Sequence, residues 1–203
     1  MDRSTDVQFL LRSNFEDVSH GADTQCSVIL ENLHTIARKA GRLPLEFLVG
    51  ADNTVKETKN TCFIAFSMWL LCVLDDSCLW SIVFFSLLVG HTHDPLDRFF
   101  ALLKLALHGR DYMTLAQLMQ IVLAALNSRN DIFFEHVTQT WGWTQMAADL
   151  DLPRVHGHDL PRIHVFNIFR SNGIWIKWKQ YMSDDAWSRP VLLLGPGGWQ
   201  RLQ

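Results

Sequence analysis

Two aspartates stand out by where they fall. Asp52 directly follows the short run Leu45 to Ala51 (LEFLVGA), and Asp97 follows the polar turn Gly90-His91-Thr92-His93-Asp94-Pro95. Carboxylates brought to one place repel each other unless a cation lies between them, and Mg²⁺ is commonly held by one or two carboxylates plus water and substrate phosphate. A pair of such ions activates the attacking water or hydroxyl and stabilises the leaving oxygen of a phosphoryl transfer. Asp52 and Asp97 are therefore the candidate catalytic and metal-ligating residues, with Mg²⁺ or Mn²⁺ as the cofactor and no small-molecule cofactor expected. Both positions also admit a plainer role, since Asp52 suits an Asx turn and Asp97 suits the positive end of its own helix. His91 and His93 add imidazoles to the same turn, and His156 and His158 flank a glycine farther on; histidines so placed are more often solvated or hydrogen-bonded than catalytic, the second pair above all.

A second kind of chemistry is offered by the stretch from Arg162 to Lys179. It carries Arg162, Arg170, Lys177 and Lys179 with no acidic residue, interleaved with Phe166, Phe169, Trp175 and Trp178. Basic and aromatic side chains together contact phosphates and stack on bases, so these four cations are the candidate nucleic-acid-binding residues and DNA the candidate partner. Against this, Ile174, Ile176 and Trp178 fall on one strand face and suit a core. The chain's net charge of -3 supplies no bulk attraction to nucleic acid, so binding has to come from such a local patch.

The elements that must position these residues follow from periodicity. Apolar residues Val28, Ile29, Leu33, Ile36 and Ala37 recur at helical spacing between Cys26 and Ala40, with Gly41 where a helix stop is favoured. Leu45 to Ala51 reads as a strand. Thr54-Val55-Lys56-Glu57 has the capping-box pattern of a helix start before an apolar run to Leu74. Leu79 to Val89 is continuously apolar, as expected of a strand covered on both faces. Asp94 and Pro95 suit the cap and first position of a helix from Leu96 to His108, which puts Asp97 in its first turn. A further helix is predicted over Thr114 to Leu126, and a short strand over Val7 to Leu11. Strands Ile163 to Phe169 and Ile174 to Tyr181, split by Ser171-Asn172-Gly173, have the signature of a hairpin. Gly195-Pro196-Gly197-Gly198 reads as a turn without phosphate-loop spacing.

Strand, helix, strand, helix from Leu45 to His108 predicts two parallel strands whose carboxyl ends share one sheet edge, with neighbours ~4.8 Å apart. Asp52 is expected to face the segment His91 to Asp97 there, on the edge where sites in open α/β sheets tend to lie.

With 203 residues, 48% apolar and 19% charged, the chain is sized for one substantial core. Cys26, Cys62, Cys72 and Cys78 form no C-x-x-C pair, which predicts reduced thiols, an intracellular compartment (nucleus or cytoplasm) and no structural zinc. The opening residues lack the order of a signal peptide, so secretion is not expected. Cys62 to Leu74 and Leu79 to Gly90 fall short of the ~18 to 20 apolar residues of a spanning helix, so no membrane partner is expected.

Asp52-Asn53 followed by Lys59-Asn60, and Gly90-His91-Thr92 followed by Asp97 and Phe99, resemble the two motifs of a transposase-derived, integrase-like domain of unknown function found in uncharacterised eukaryotic proteins. The double match is fairly specific; it spans roughly residues 20 to 125, with a fainter echo from His164 to Trp187. That family is similar to ribonuclease-H-fold transposases and integrases, which hold two Mg²⁺ ions on three acidic residues to cut or join DNA. The resemblance implies that Asp52 is the second acidic residue and Asp97 the third. It also implies a three-strand meander ahead of the helix at 26 to 40, bearing the first. Residues 1 to 24 are too few for three strands of ~5 to 6 residues plus turns, and neither Asp2 nor Asp6 suits the role. Thr54-Val55-Lys56-Glu57 also stands where relatives often carry glycines.

The fold class expected is α/β, ribonuclease-H-like and truncated at the amino end, with a parallel strand-helix-strand-helix core and a small carboxy-terminal β-containing appendage. Its parts are an irregular remnant (1 to 24), the core (25 to 127) and an extension with a β-hairpin (128 to 203). The function expected is that of a fragment or degenerate copy of a transposon-derived polynucleotidyl transferase, inactive for want of the first acidic ligand. The alternative is a noncatalytic nucleic-acid- or protein-binding module derived from one.

Overall fold

The computed structural model describes residues 9 to 14, 21 to 51, 61 to 75, 77 to 86, 95 to 125, 132 to 137, 140 to 150, 152 and 163 to 196; side chains at 9 to 14, 51, 95 to 99 and 132 to 137 are outside the description. In chain order the elements are β1 (Phe9–Asn14), α1 (Ala22–Ala40), β2 (Glu46–Ala51), α2 (Thr61–Val73), β3 (Ser81–Ser86), α3 (Pro95–Leu107), α4 (Leu115–Ala125), β4 (Ile132–Val137), α5 (Trp143–Asp149), β5 (Val165–Arg170), β6 (Ile174–Lys179) and β7 (Val191–Leu194). The chain is a mixed α/β protein that divides into two compact units.

The first unit takes Met1–Asp17 and Gly90–Thr138. In it β1 pairs in parallel with β4, from Phe9 opposite Ile132 to Asn14 opposite Val137, and α3 packs on α4. Pro95 opens α3, as its fixed φ and missing N–H favour. Helix α4 begins at a reciprocal cap: Gln117 N–H donates to Thr114 Oγ1 (3.2 Å), and Gln117 Oε1 accepts from the N–H groups of Thr114 (3.2 Å) and Met113 (2.7 Å). β4 was not anticipated from the sequence.

The second unit, Val18–Val89 and Gln139–Gln203, is built on a five-stranded mixed sheet of order β2-β3-β5-β6-β7. β2 and β3 are parallel, in the strand-helix-strand arrangement read from the sequence, and the remaining pairs are antiparallel. The predicted hairpin is present: Asn172 (φ 47) and Gly173 (φ 128) supply the left-handed backbone its turn requires. It is not the appendage expected. β5 pairs with β3 along Ser81 to Phe85, which puts the hairpin inside the main sheet, and β7 adds a further strand. Ile168, Ile174 and Ile176, each at 2% exposure or less, need cover that a free hairpin cannot provide.

Helix α2 explains why. It is apolar almost all round, with Cys62 to Met68, Leu70 and Leu71 buried, and a helix without a polar face has to lie inside. One side packs on the sheet, where Phe63 meets Phe84 and Phe166 at ring separations of 5.2 and 5.9 Å, and Phe84 stacks on Phe166 at 4.6 Å. The other side meets α1 and α5, where Phe66 and Trp69 hold the Trp143 indole at 4.9 and 5.0 Å. α5 was not anticipated. It is tied to α1 through Ser27, whose Oγ accepts from Trp141 N–H (3.0 Å) and Trp143 Nε1–H (3.1 Å). α1 ends as predicted on Gly41, in the left-handed conformation at φ 70. The two apolar runs weighed as membrane spans are thus α2 and β3, and no helix among the described residues is long and apolar enough to cross a membrane.

Candidate functional site

The carboxyl edge of β2 and β3 is the place to look for the first predicted centre. Ala51, the last residue of β2, stands opposite Ser86, the last of β3. Ser86 N–H donates to His164 O (2.8 Å), and His164 N–H donates to Gln180 O (3.1 Å), so the row continues across the sheet. Ser86 Oγ lies 3.1 Å from His164 Nδ1, and the His164 ring stacks on Tyr181 at 5.5 Å. Asp52 follows Ala51 directly but lies outside the described residues, as do His91, His93, His156, His158 and the capping-box residues from Thr54. Asp97 occupies the third position of α3, in the other unit, with its side chain outside the description. No distance between the two carboxylates therefore follows. Among the described residues no three or more His, Cys, Asp or Glu side chains gather to hold a metal. His164 and Ser86 were not singled out from the sequence; they reach this edge through the β3–β5 pairing, which spans 78 residues of chain.

The three described members of the predicted set of four cations separate. Arg162 lies outside the described residues. Arg170 stands opposite Ile174, on the core side of the sheet, and its Nη2 donates to Leu71 O and, at 2.9 Å, to Leu74 O. It thereby caps the carboxyl end of α2, where unpaired carbonyls and the helix dipole favour a cation. Beside it, burial pushes the Cys72 thiol up to about 12, partly offset by Arg170, and the Ser77 backbone N–H (2.8 Å) holds the exposed Asp75 carboxyl below its ordinary range.

Lys177 and Lys179 alternate with Ile176 and Trp178 and so occupy the opposite face. Both ammoniums converge on Trp187, at 4.8 and 5.0 Å from its ring centre, and Lys177 also lies 5.1 Å from the Phe169 ring. Lys179 Nζ further donates to Met182 O (2.6 Å) and Asp184 O (2.9 Å), which folds residues 182 to 187 back over the strand. An open groove of about 480 Å³ runs along this fold, lined by Ile163, Trp178, Lys179, Gln180, Trp187 and Ser188. Two cations beside a half-buried indole form a surface suited to a phosphate backbone with a stacked base. Trp187 was not among the candidate nucleic-acid-binding residues read from the sequence, since it enters through a turn rather than through the strand's alternation.

What these features define is a mixed α/β protein whose sheet carries a buried helix on one face and a lysine-tryptophan surface on the other. The chain belongs to the DUF7869 family, a domain of unknown function whose model matches residues 3 to 184. No curated protein and no solved structure matches it.

Proposed function

We propose that this chain is a copy of a transposon-derived, ribonuclease-H-like integrase-type protein, in which Asp52 and Asp97 are what remains of a Mg²⁺ or Mn²⁺ centre for polynucleotidyl transfer. The observation that carries the reading is the parallel β2–α2–β3 unit, which ends Ala51 and Ser86 side by side at one sheet edge, one residue before Asp52. The donor set fits the metal by its chemistry: carboxylate oxygens are hard ligands of the kind Mg²⁺ takes, and a bound ion there would neutralise phosphate charge. Asp52 and Asp97 would hold it. His164 and Ser86 would line the same edge. The reading makes the protein intracellular, in nucleus or cytoplasm, with DNA as its partner.

A second reading, a noncatalytic DNA-binding module of the same descent, is favoured by the Lys177, Lys179 and Trp187 cluster, which makes a binding surface without needing the carboxylates. Calorimetric titration of Mn²⁺ into the wild-type chain, Asp52→Asn and Asp97→Asn separates the two. Heat in wild type that vanishes in both variants is the result expected of a shared centre. Equal titrations in all three, or none in any, leave the binding module as the surviving reading.

A further inference from the structure

Where α1, α2 and α5 meet, two thiols share one polar pocket inside an otherwise apolar junction. Cys26 (1% exposed) lies on α1 and Cys62 (6% exposed) in the first turn of α2. Asp23 is three residues before Cys26, hence on the same helix face, and its Oδ1 lies 3.9 Å from Cys62 Sγ. That distance brings the Cys62 sulfur to the stripe of α1 that Cys26 occupies, so the two thiols are neighbours. Thr144 of α5 closes the group. Its N–H (2.6 Å) and Oγ1 (2.8 Å) approach Asp23 Oδ1, and its Oγ1 lies 3.8 Å from Cys62 Sγ. Cys72 and Cys78 have no such neighbour among the described thiols, and all four are reduced.

We propose that Cys26 and Cys62 are a peroxide-sensitive dithiol, with Cys62 the attacking sulfur and Cys26 the resolving one, whose oxidation bridges α1 to α2. The two thiols are unequal in the sense this requires. The neighbouring Cys62, then burial, push Cys26 up, so it keeps its proton; the neighbouring Cys26, then Thr144, bring Cys62 down on balance, against the opposing effects of burial and of the Asp23 carboxylate. The thiolate is the nucleophile, and a first-turn position favours it. The Cys62 sulfur bonds one peroxide oxygen, the O–O bond breaks, and hydroxide leaves to become water, so that peroxide is reduced and Cys62 becomes a sulfenic acid. The Cys26 sulfur then bonds the Cys62 sulfur, the S–O bond breaks, and the Cys26 proton departs with hydroxide as a second water. Hydrogen peroxide is close to water in size, which suits thiols this buried.

The test treats the native chain with hydrogen peroxide, removes the excess with catalase, and alkylates under denaturing conditions before peptide mass spectrometry. A Cys26–Cys62 linked peptide pair, two hydrogens lighter and reopened by dithiothreitol, with Cys72 and Cys78 alkylated, is the expected result. In Cys26→Ser, a dimedone adduct should accumulate on Cys62. Full alkylation of both thiols in the wild type, a sulfinic acid on Cys62 beside a free Cys26, or linkage through Cys72 or Cys78 instead, overturns the proposal; the wild-type result decides even if the variant does not fold.

Discussion

Arg170→Met gives the sharpest test of how the second unit is held together. Methionine keeps most of the buried aliphatic stem and removes the guanidinium that donates to Leu71 O and Leu74 O. A hydrogen bond to a charged group contributes ~1.5 to 3 kcal/mol. Both bonds come from one nitrogen, so that range is counted once, and a cation at a helix carboxyl end adds ~0.3 to 1 kcal/mol. The expected loss is therefore about 2 to 4 kcal/mol. With a urea slope of ~2 kcal/mol/M, the unfolding midpoint should fall by roughly 1 to 2 M without a change in slope. Arg170→Lys, a point charge that cannot fork, should recover only part of this. Urea unfolding followed by circular dichroism reads it directly. A shift below ~0.5 kcal/mol, the range of an ordinary surface substitution, would refute the capping role. If stability held while DNA affinity and its salt dependence dropped, Arg170 would be a phosphate ligand after all.

The double variant Lys177→Gln, Lys179→Gln should weaken binding to single-stranded DNA and flatten the dependence of log K on log salt by ~0.7 for each phosphate that the lysines no longer neutralise. A wild-type protein with no salt response would remove the patch from consideration. Ser67→Ala should stabilise the fold, or leave it unchanged within ~0.5 kcal/mol, because the Ser67 hydroxyl is fully buried in α2 and finds no hydrogen-bond partner among the described residues. Thermal melting below wild type by several degrees would show an unseen partner. Cys72 supplies a pH prediction whose sign follows from its raised value: from 9.0 unfolded to about 12 folded, the native state retains a proton that the unfolded state loses. Its contribution is complete below pH 9 and declines as pH rises through that window, so Cys72→Ala should flatten the alkaline limb of the stability profile; an unchanged limb counts against the burial argument.

The parts of the fold that could be read from the sequence are those where local pattern and tertiary demand agree. Gly41 closes α1, the unbroken apolar run makes β3 a buried strand, and Asn172-Gly173 turns the β5–β6 hairpin, because each signal is stereochemical and short in range. α5 and β7 escaped for a common physical reason. Each is short, and α5, at seven residues, is below the length at which a helix stabilises itself; Trp143 against Phe66 and Trp69 holds it in place, a packing with no trace in local periodicity. The place of the hairpin was misjudged for a related reason. A pair of strands can be seen locally, but the β3 edge that accepts it lies some eighty residues earlier in the chain.

The basic stretch shows where residue type alone stops being informative. Strand alternation sends Arg170 and Lys177 to opposite faces of one sheet, so a run that is basic in sequence is not a patch in space. Arg170 spends its charge on the carbonyls of α2, because a helix as apolar as α2 ends against the sheet with carbonyls that water does not reach freely. Lys177 and Lys179 remain on the outer face, and it is Trp187, distant from both in pattern, that gathers them. Among the described residues the nucleic-acid reading thus contracts from three cations to two with an indole between them, and that smaller surface is the one on which a measured salt slope has to be explained.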